Sequence, residues 1–259
     1  MPNAEAAIRK AADILASARH ATAFTGAGIS VESGIPPFRG PEGLWSKVDP
    51  IVLDINYFHR HPLESWRVIK EIFFDFFGKA QPNPAHVALA ELEKARVIMA
   101  VITQNIDNLH QLAGSRTVYE LHGNSRFLVC EKCGTRTPAE EVNLEDLPPR
   151  CPRCGTVLKP DFVFFGEPLP EFDYGQAIRE TEVADVFLLV GTTGEIMPAS
   201  TLPVLAKRHG ATIVEVNVEP SNYTESITDV FIRERASVAL PALAREVLNG
   251  IRKENRADT

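Results

Sequence analysis

The sequence predicts an α/β protein in which a parallel sheet, covered by helices on both faces, is interrupted by two insets. Three observations predict it: short β-branched runs alternate with helical periods, the first run ends in a glycine turn, and all four cysteines fall within one segment. Single cores stop growing at roughly 250–300 residues. With 259 residues, 44% hydrophobic and 24% charged, the chain therefore fits one main fold with an inset and excludes a disordered or fibrous protein. Lys and Arg total 27 against 34 Asp and Glu, a formal charge of −7. That sign does not suit affinity built on neutralising phosphates, so no nucleic acid partner is expected and a basic one fits better. No run of about 18 apolar residues occurs, and MPNAEAAIRK lacks a basic stretch leading into an apolar one, so a soluble, cytoplasmic protein without membrane contact is expected.

The elements follow in order. Ala7, Ile8, Ala11, Ala12, Ile14 and Leu15 recur at helical spacing, and His20 to Thr25 reads as a buried strand. Gly26-Ala27-Gly28 ends that strand and leads into Ile29–Ser33, the opening of a β-α unit whose backbone amides can approach phosphate. Residues 36–50, rich in proline and glycine, read as a loop, and Asn56 to Gly78 as an aromatic-rich helical insert. A helix over Ala85–Lys94 and a strand over Val97–Thr103 come next. Beyond the second inset, residues 125–160, strands at Val186–Val190 and Ala211–Val216 alternate with helices at Ala199–Arg208 and Val238–Arg252. The tail after Gly250 is expected to fray.

Cys130-Glu-Lys-Cys133 and Cys151-Pro-Arg-Cys154 are two C-x2-C knuckles with seventeen residues between them, the spacing of a zinc ribbon. Four thiolates close a tetrahedral zinc site, so one structural Zn per chain is expected to fold the inset. A thioredoxin-like redox pair would need one such motif at a strand–helix junction, and a nucleic-acid-reading ribbon would not carry Glu140, Glu141, Glu145 and Asp146. The glycine turn lacks the third glycine of a dehydrogenase fingerprint and the acidic residue about 20 positions on, which argues against hydride transfer. Taken alone, it could also be a turn without a ligand.

In order along the chain come Gly26-Ala-Gly-Ile-Ser30, Gly34-Ile-Pro-Pro-Phe-Arg-Gly40, Thr103-Gln-Asn-Ile-Asp107 with Leu109-His110, Leu121-His-Gly123, the two knuckles and Phe164-Phe-Gly-Glu167. Together these resemble the sirtuins, NAD-dependent protein-lysine deacylases of bacterial or archaeal type, over residues 10 to 248 or so. The resemblance implies a discontinuous Rossmann-like NAD-binding domain (1–37, 84–124 and 161–250), a mobile loop with helical insert (38–83) and a zinc-ribbon insert (125–160). It also implies a cleft for NAD, consumed as co-substrate, and an acyl-lysine protein or peptide. In that reaction the acyl oxygen attacks the nicotinamide ribose, nicotinamide leaves and the acyl group ends on ADP-ribose.

By the same resemblance His122, in Glu120-Leu-His-Gly-Asn124, is the general base, a role suited to imidazole. Asn105 is counted with it as catalytic, and Asn105 and Asp107, flanking Ile106, hold the nicotinamide carboxamide. Gln104 reaches the ribose, while Gly26, Ala27, Gly28 and Ser30 form the cofactor loop. Phe38 and Arg39 belong to a lid, where Pro37 replaces the Asp or Thr of many members. Gly191, Thr192 and Thr193 grip phosphate and ribose, although the two threonines could instead only cap a helix, and Asn217 and Glu219 take the adenosine end. Val163, Phe164, Phe165, Gly166 and Glu167 pair with the peptide as a strand and line the acyl-lysine tunnel. Opposite them, Gly194-Glu-Ile-Met-Pro198 departs from the usual Leu and aromatic, which leaves peptide preference open.

His59, His61, His86 and His209 are expected in surface or packing roles, and His110 as structural support. Some members bind acidic acyl chains through a Tyr-x-x-Arg pair on the helix after the loop. Tyr57 and Arg60 match that pattern but precede His61-Pro62, whereas counting from the proline puts Ile69 and Ile72 at the pair's positions. Acetyl and longer apolar acyl groups are therefore expected over succinyl. The alternatives to deacylation are protein mono-ADP-ribosylation from the same NAD site and a non-enzymatic NAD-sensing scaffold.

Overall fold

The computed structural model describes residues 4–38 and 43–257. Its main sheet has six strands in the order β3 (Val118–Glu120), β2 (Ile98–Thr103), β1 (Ala21–Thr25), β7 (Val186–Val190), β8 (Thr212–Asn217) and β9 (Val230–Arg233). Every pairing is parallel. β1 and β7 are buried along their whole length, as a parallel sheet covered on both faces requires. The strand period of two sorts their side chains. Ala21, Ala23, Val186, Leu188 and Val190 pack into a core with α1 (Ala4–Ala16), α4 (Pro84–Lys94) and α8 (Ala236–Ala257). Phe24, Phe187, Leu189 and Ile213 face the other way, toward α6 (Glu171–Val183) and α7 (Leu202–Arg208). The helix α8 continues past Gly250 to Ala257, where the sequence suggested fraying.

Between β3 and α6 the chain leaves this sheet for a three-stranded antiparallel one, ordered β5 (Arg136–Pro138), β4 (Gly123–Val129) and β6 (Lys159–Phe162). This sheet shares a third core with the helical insert, α2 (Ile55–Arg60) and α3 (Pro62–Ile69), and with a π-helical turn over Lys70–Phe76. Trp66 is fully buried there and its indole N–H donates to the Leu158 carbonyl at 2.8 Å, tying insert to ribbon. Truncating a buried tryptophan to alanine costs about 3–5 kcal/mol. One short α-helix, α5 (Leu109–Ala113), follows β2.

Candidate active site

In an open parallel sheet, ligands bind beyond the strand C-termini where the strand order reverses. Here the reversal lies between β1, which continues to β2 and β3, and β7, which continues to β8 and β9. A glycine follows each strand, and the two turns meet backbone to backbone. Gly26 N–H donates to Val190 O at 3.0 Å and Gly28 N–H to Gly191 O at 2.8 Å. A Cβ on Gly28 would lie 2.5 Å from the Gly191 Cα, and one on Gly191 (φ +61°) would lie 2.4 Å from the Ile29 amide nitrogen. Only glycine fits both places. Ala27–Ser33 forms a short 3-10 helix where the sequence suggested the opening of an α-helix.

Behind these turns is a polar network. The N-cap of α4 is Asn83, whose carbonyl oxygen accepts from Ala85 N–H at 2.8 Å and whose NH2 donates to Ile29 O at 2.7 Å. The Asn83 backbone N–H donates to His86 Nδ1 at 3.3 Å, so the His86 proton sits on Nε2, directed at Ser30 Oγ 3.4 Å away. Ser30 in turn donates to Asp107 Oδ2 at 2.7 Å and accepts from Asn105 Nδ2 at 3.2 Å. Burial holds His86 at about 4, so its ring is neutral, and burial pushes Asp107 up against the hydrogen bonds it accepts from Leu109 and Ser30. His110, with Nε2 2.9 Å from Thr25 Oγ1, lies against His86 and is kept well below its ordinary value by burial. His86 thus joins the network, a part beyond the packing or surface role expected of it. Its signal was the Asn83-Pro84 helix start three residues earlier.

His122 occupies the two-residue link between β3 and β4. Its Nδ1 lies 2.8 Å from the Gln104 carbonyl, which can only accept, so Nδ1 carries the proton and Nε2 is left as a free base. Burial lowers its pKa, keeping the ring neutral near pH 7. Across the switch point Gln104 Nε2 donates to Thr192 Oγ1 at 3.1 Å, and Asn217 Nδ2 donates to Thr192 O at 3.1 Å.

These groups open onto a cavity of about 1320 Å³. Of the expected residues, its wall includes Gly26, Ala27, Gly28, Phe38, Gln104, Asn105, Ile106, His122, Gly191, Thr192, Thr193, Asn217 and Glu219. Val163, Phe164, Phe165, Gly166 and Glu167 line it too. Ser30 and Asp107 are not on the wall: Ser30 lies behind Asn105 and holds it, and Asp107 holds Ser30. Arg39 lies outside the described residues. Phe38 packs on Trp45 with ring centres 5.5 Å apart. Phe165 bridges to the helical insert, its N–H donating to Leu53 O at 2.8 Å and its carbonyl accepting from Ile55 N–H at 3.1 Å. Ile69 and Ile72 are buried in the third core, and the π-helical turn brings Phe73 to the cavity in their stead. Tyr57 is spent on Glu64, and Arg60 Nε on Asn56 O at 3.1 Å; neither lines the cavity.

The four cysteine sulfurs lie within 4.8 Å of one another, with approaches of 3.4 to 3.6 Å and no disulfide. A tetrahedron with arms of about 2.3 Å has edges of about 3.8 Å, so the sulfurs fit one zinc ion. The two knuckles repeat one geometry. Gly134 and Gly155 (φ +71° and +73°) donate to Cys130 O and Cys151 O at 2.9 Å, and Thr135 and Thr156 sit beside Cys133 and Cys154. Hydrogen bonds from Thr135 and Thr156 bring down Cys133, to about 6, and Cys154, while burial raises Cys130 to about 11.

This combination of a switch-point glycine turn, an imidazole base and a four-cysteine ribbon coincides with a family model, the Sir2 family, which matches residues 26–198. The chain belongs to the Sir2 family. Among its relatives, the NAD-dependent protein deacylase 2 of Pyrobaculum aerophilum is 49% identical over 245 residues, covering 93% of this chain and 96% of that protein. A mutant Sir2 homologue in complex with ADP-ribose superposes with a TM-score of 0.90 at 37% identity, covering 94% of this chain and 97% of the other. A Sir2 protein bound to a p53 peptide and NAD+ does so with a TM-score of 0.82 at 38% identity, covering 92% and 95%. No helix among the described residues of this Sir2 chain is long and apolar enough to cross a membrane.

Proposed function

We propose that this Sir2 chain is an NAD-dependent protein-lysine deacylase that moves an acyl group from lysine to ADP-ribose with release of nicotinamide. The observation that carries the reading is that one cavity contains an imidazole with an unprotonated Nε2, the paired glycine turns and the 163–167 loop. NAD, as co-substrate, supplies the acyl acceptor and the leaving group. The chain's own residues do the rest. Asn105, with Nδ2 committed to Gly26 O and Ser30 Oγ, offers its Oδ1 to a carboxamide NH2. His122 Nε2 takes a proton from a ribose hydroxyl. Gly191, Thr192 and Thr193 take phosphate and ribose, and Asn217 and Glu219 take the adenosine end.

Residues 163–167 seat the acyl-lysine peptide by backbone pairing. Phe38 over Trp45 screens the reacting groups from water, with Arg39 its expected partner. The domain division is that of the sequence: 1–37, 84–124 and 161–250 for NAD, 38–83 for the loop and insert, 125–160 for the ribbon. A cytoplasmic location belongs to the same reading. Leu53, Phe73, Ile106, Phe162 and Phe164 give the cavity an apolar wall suited to acetyl and longer apolar chains.

Incubating the protein with an acetyl-lysine peptide and NAD and following products by mass spectrometry tests the reading. Equal amounts of nicotinamide, free-lysine peptide and acetyl-ADP-ribose are expected, with His122→Ala losing about 10²–10⁴ in rate. ADP-ribosylated protein in place of acetyl-ADP-ribose would establish the alternative.

A further inference from the structure

Lysine is almost never fully buried unless paired. Lys159, at the start of β6, is 5% exposed, and its stem leads to an ammonium 4.4 Å from the centre of the Phe164 ring. An ammonium has three protons to place. Here three acceptors surround it: Pro160 O at 3.0 Å, Phe162 O at 2.7 Å and Glu167 Oε2 at 3.0 Å. The same Glu167 oxygen accepts the Phe164 backbone N–H at 2.7 Å, and Glu167 N–H donates to Phe164 O at 3.0 Å. The Glu167 carboxylate is therefore turned into its own loop, closing residues 159–167 into a ring around one ion pair. That ring reaches the base: Val163 N–H donates to His122 O at 2.9 Å.

We propose that Lys159 and Glu167 are positioning residues whose ion pair sets the shape of the 163–167 loop as the seat for the acyl-lysine peptide. Glu167 acts from inside the loop rather than by touching substrate. This rests on the deacylase reading. The recorded partners of both side chains lie within residues 159–167, whereas the groups assigned to NAD (Gly26 to Gly28, Gln104, Gly191 to Thr193, Asn217) sit on the other sheet. Losing the pair should loosen the peptide seat and spare the NAD site.

The test measures kcat and peptide KM by nicotinamide release from one acetyl-lysine peptide, and NAD Kd by calorimetry on the full chain without peptide. Lys159→Met is expected to raise peptide KM by about tenfold to a hundredfold, the worth of one charge-assisted hydrogen bond. Its kcat should fall less than its KM rises, and NAD Kd should stay within about twofold. The double variant Lys159→Met/Glu167→Gln should be no worse than Lys159→Met alone, because both act through one contact. Glu167→Gln alone keeps the lysine and its carbonyl bonds, so it stays informative if Lys159→Met does not fold. It should raise peptide KM several-fold and lower Tm, because the buried ammonium keeps its carbonyl bonds but loses its counter-charge, while NAD Kd stays within about twofold. Peptide KM within twofold of wild type in Glu167→Gln, or peptide KM and NAD Kd rising by one common factor, would overturn the proposal. A wild-type protein that turns over no acyl peptide would instead overturn the deacylase reading on which it stands.

Discussion

Replacing Gly28 by alanine tests whether the paired glycine turns build the NAD site. The new Cβ would meet Gly191 Cα at 2.5 Å, its oxygen at 2.8 Å and its carbonyl carbon at 3.0 Å. Carbon atoms in contact prefer about 3.5–4.0 Å, so the overlap is roughly 1 Å, all of it against backbone. Gly191 cannot rotate away, since its own Cα faces the Gly28 and Ile29 backbone. The turns must part, stretching the 2.8 Å bond from Gly28 N–H to Gly191 O. Overpacking of this kind costs about 1–3 kcal/mol and a lost hydrogen bond about 1 kcal/mol more. For a chain of this size each kcal/mol moves Tm by about 2–4 °C, so a loss of roughly 4–16 °C is expected by calorimetry. A displacement near 1 Å at the reacting centre should also lower kcat/KM by about a hundredfold, with weaker NAD binding in titration calorimetry. Gly250→Ala is the control: nothing lies within 4 Å of its added Cβ, which sits in α8, and Tm should rise by a few degrees. A Gly28→Ala protein with wild-type Tm and NAD Kd would refute the reasoning.

Because burial depresses the His122 pKa, kcat/KM should stay level above pH 6.5 and fall only as acid protonates Nε2 below that value; a midpoint above 6.5 would contradict the geometry. His86, His110 and His122 all have folded pKa values below the ordinary histidine value, with His86 at about 4. Their neutral burial therefore contributes full stability above pH 6.5, lost progressively as pH falls from 6.5 toward about 4. Asp107 and Glu120, raised by burial, act in the opposite sense over the carboxylate range, so the effect should be read as a falling Tm between pH 6.5 and 5. Cys151→Ser should release zinc in metal analysis and unfold the ribbon, lowering activity without a direct contact to substrate; retention of one zinc per chain at wild-type stability would count against the site. On one peptide bearing acetyl, butyryl or succinyl groups, kcat/KM should be high for the first two and low for succinyl, whose carboxylate would meet the apolar Phe73 and Phe164, with Tyr57 and Arg60 both away from the wall. Succinyl activity equal to acetyl would show that Tyr57 and Arg60 turn inward.

The sequence was most legible where chemistry depends on spacing or on uninterrupted burial. β1 and β7 read directly because both faces of each are covered, and the cysteine quartet because a metal tolerates few spacings. The short elements were not legible. β3 has three residues and β9 four, too few for a period to show, and α6 carries Gly175 with only Ala177 and Thr181 buried, so its apolar stripe is faint. That His122 and the other wall residues gather at one cavity was legible through motifs, but depth was not. That Ser30 stands behind Asn105 with Asp107 holding it, and that His86 joins them, depends on α4 docking against the glycine turn through Asn83, a contact between segments 54 residues apart. Ile69, still on α3, and Ile72, within the π-helical turn, both pack into the third core, and Phe73 from that turn takes the wall, which counting from Pro62 could not show.

The position of His122 between the two sheets limits how this chain can be recombined. The His122 imidazole belongs to neither sheet alone: β3 ends two residues before it, and β4 begins one residue later at Gly123, whose missing Cβ lets the Asp161 carbonyl approach closer than any side chain would permit. A graft that exchanged the whole antiparallel sheet would keep the Gln104 carbonyl that orients the His122 ring but would carry off Gly123 and Lys159 and disturb the Val163 N–H bond to the His122 carbonyl. Modularity begins only beyond the rung where Val129 faces Lys159. Residues 130–158 can be exchanged only for a ribbon that closes on the same rung, returns a carbonyl to the Trp66 indole where Leu158 now supplies it, and refills the core it shares with the helical insert.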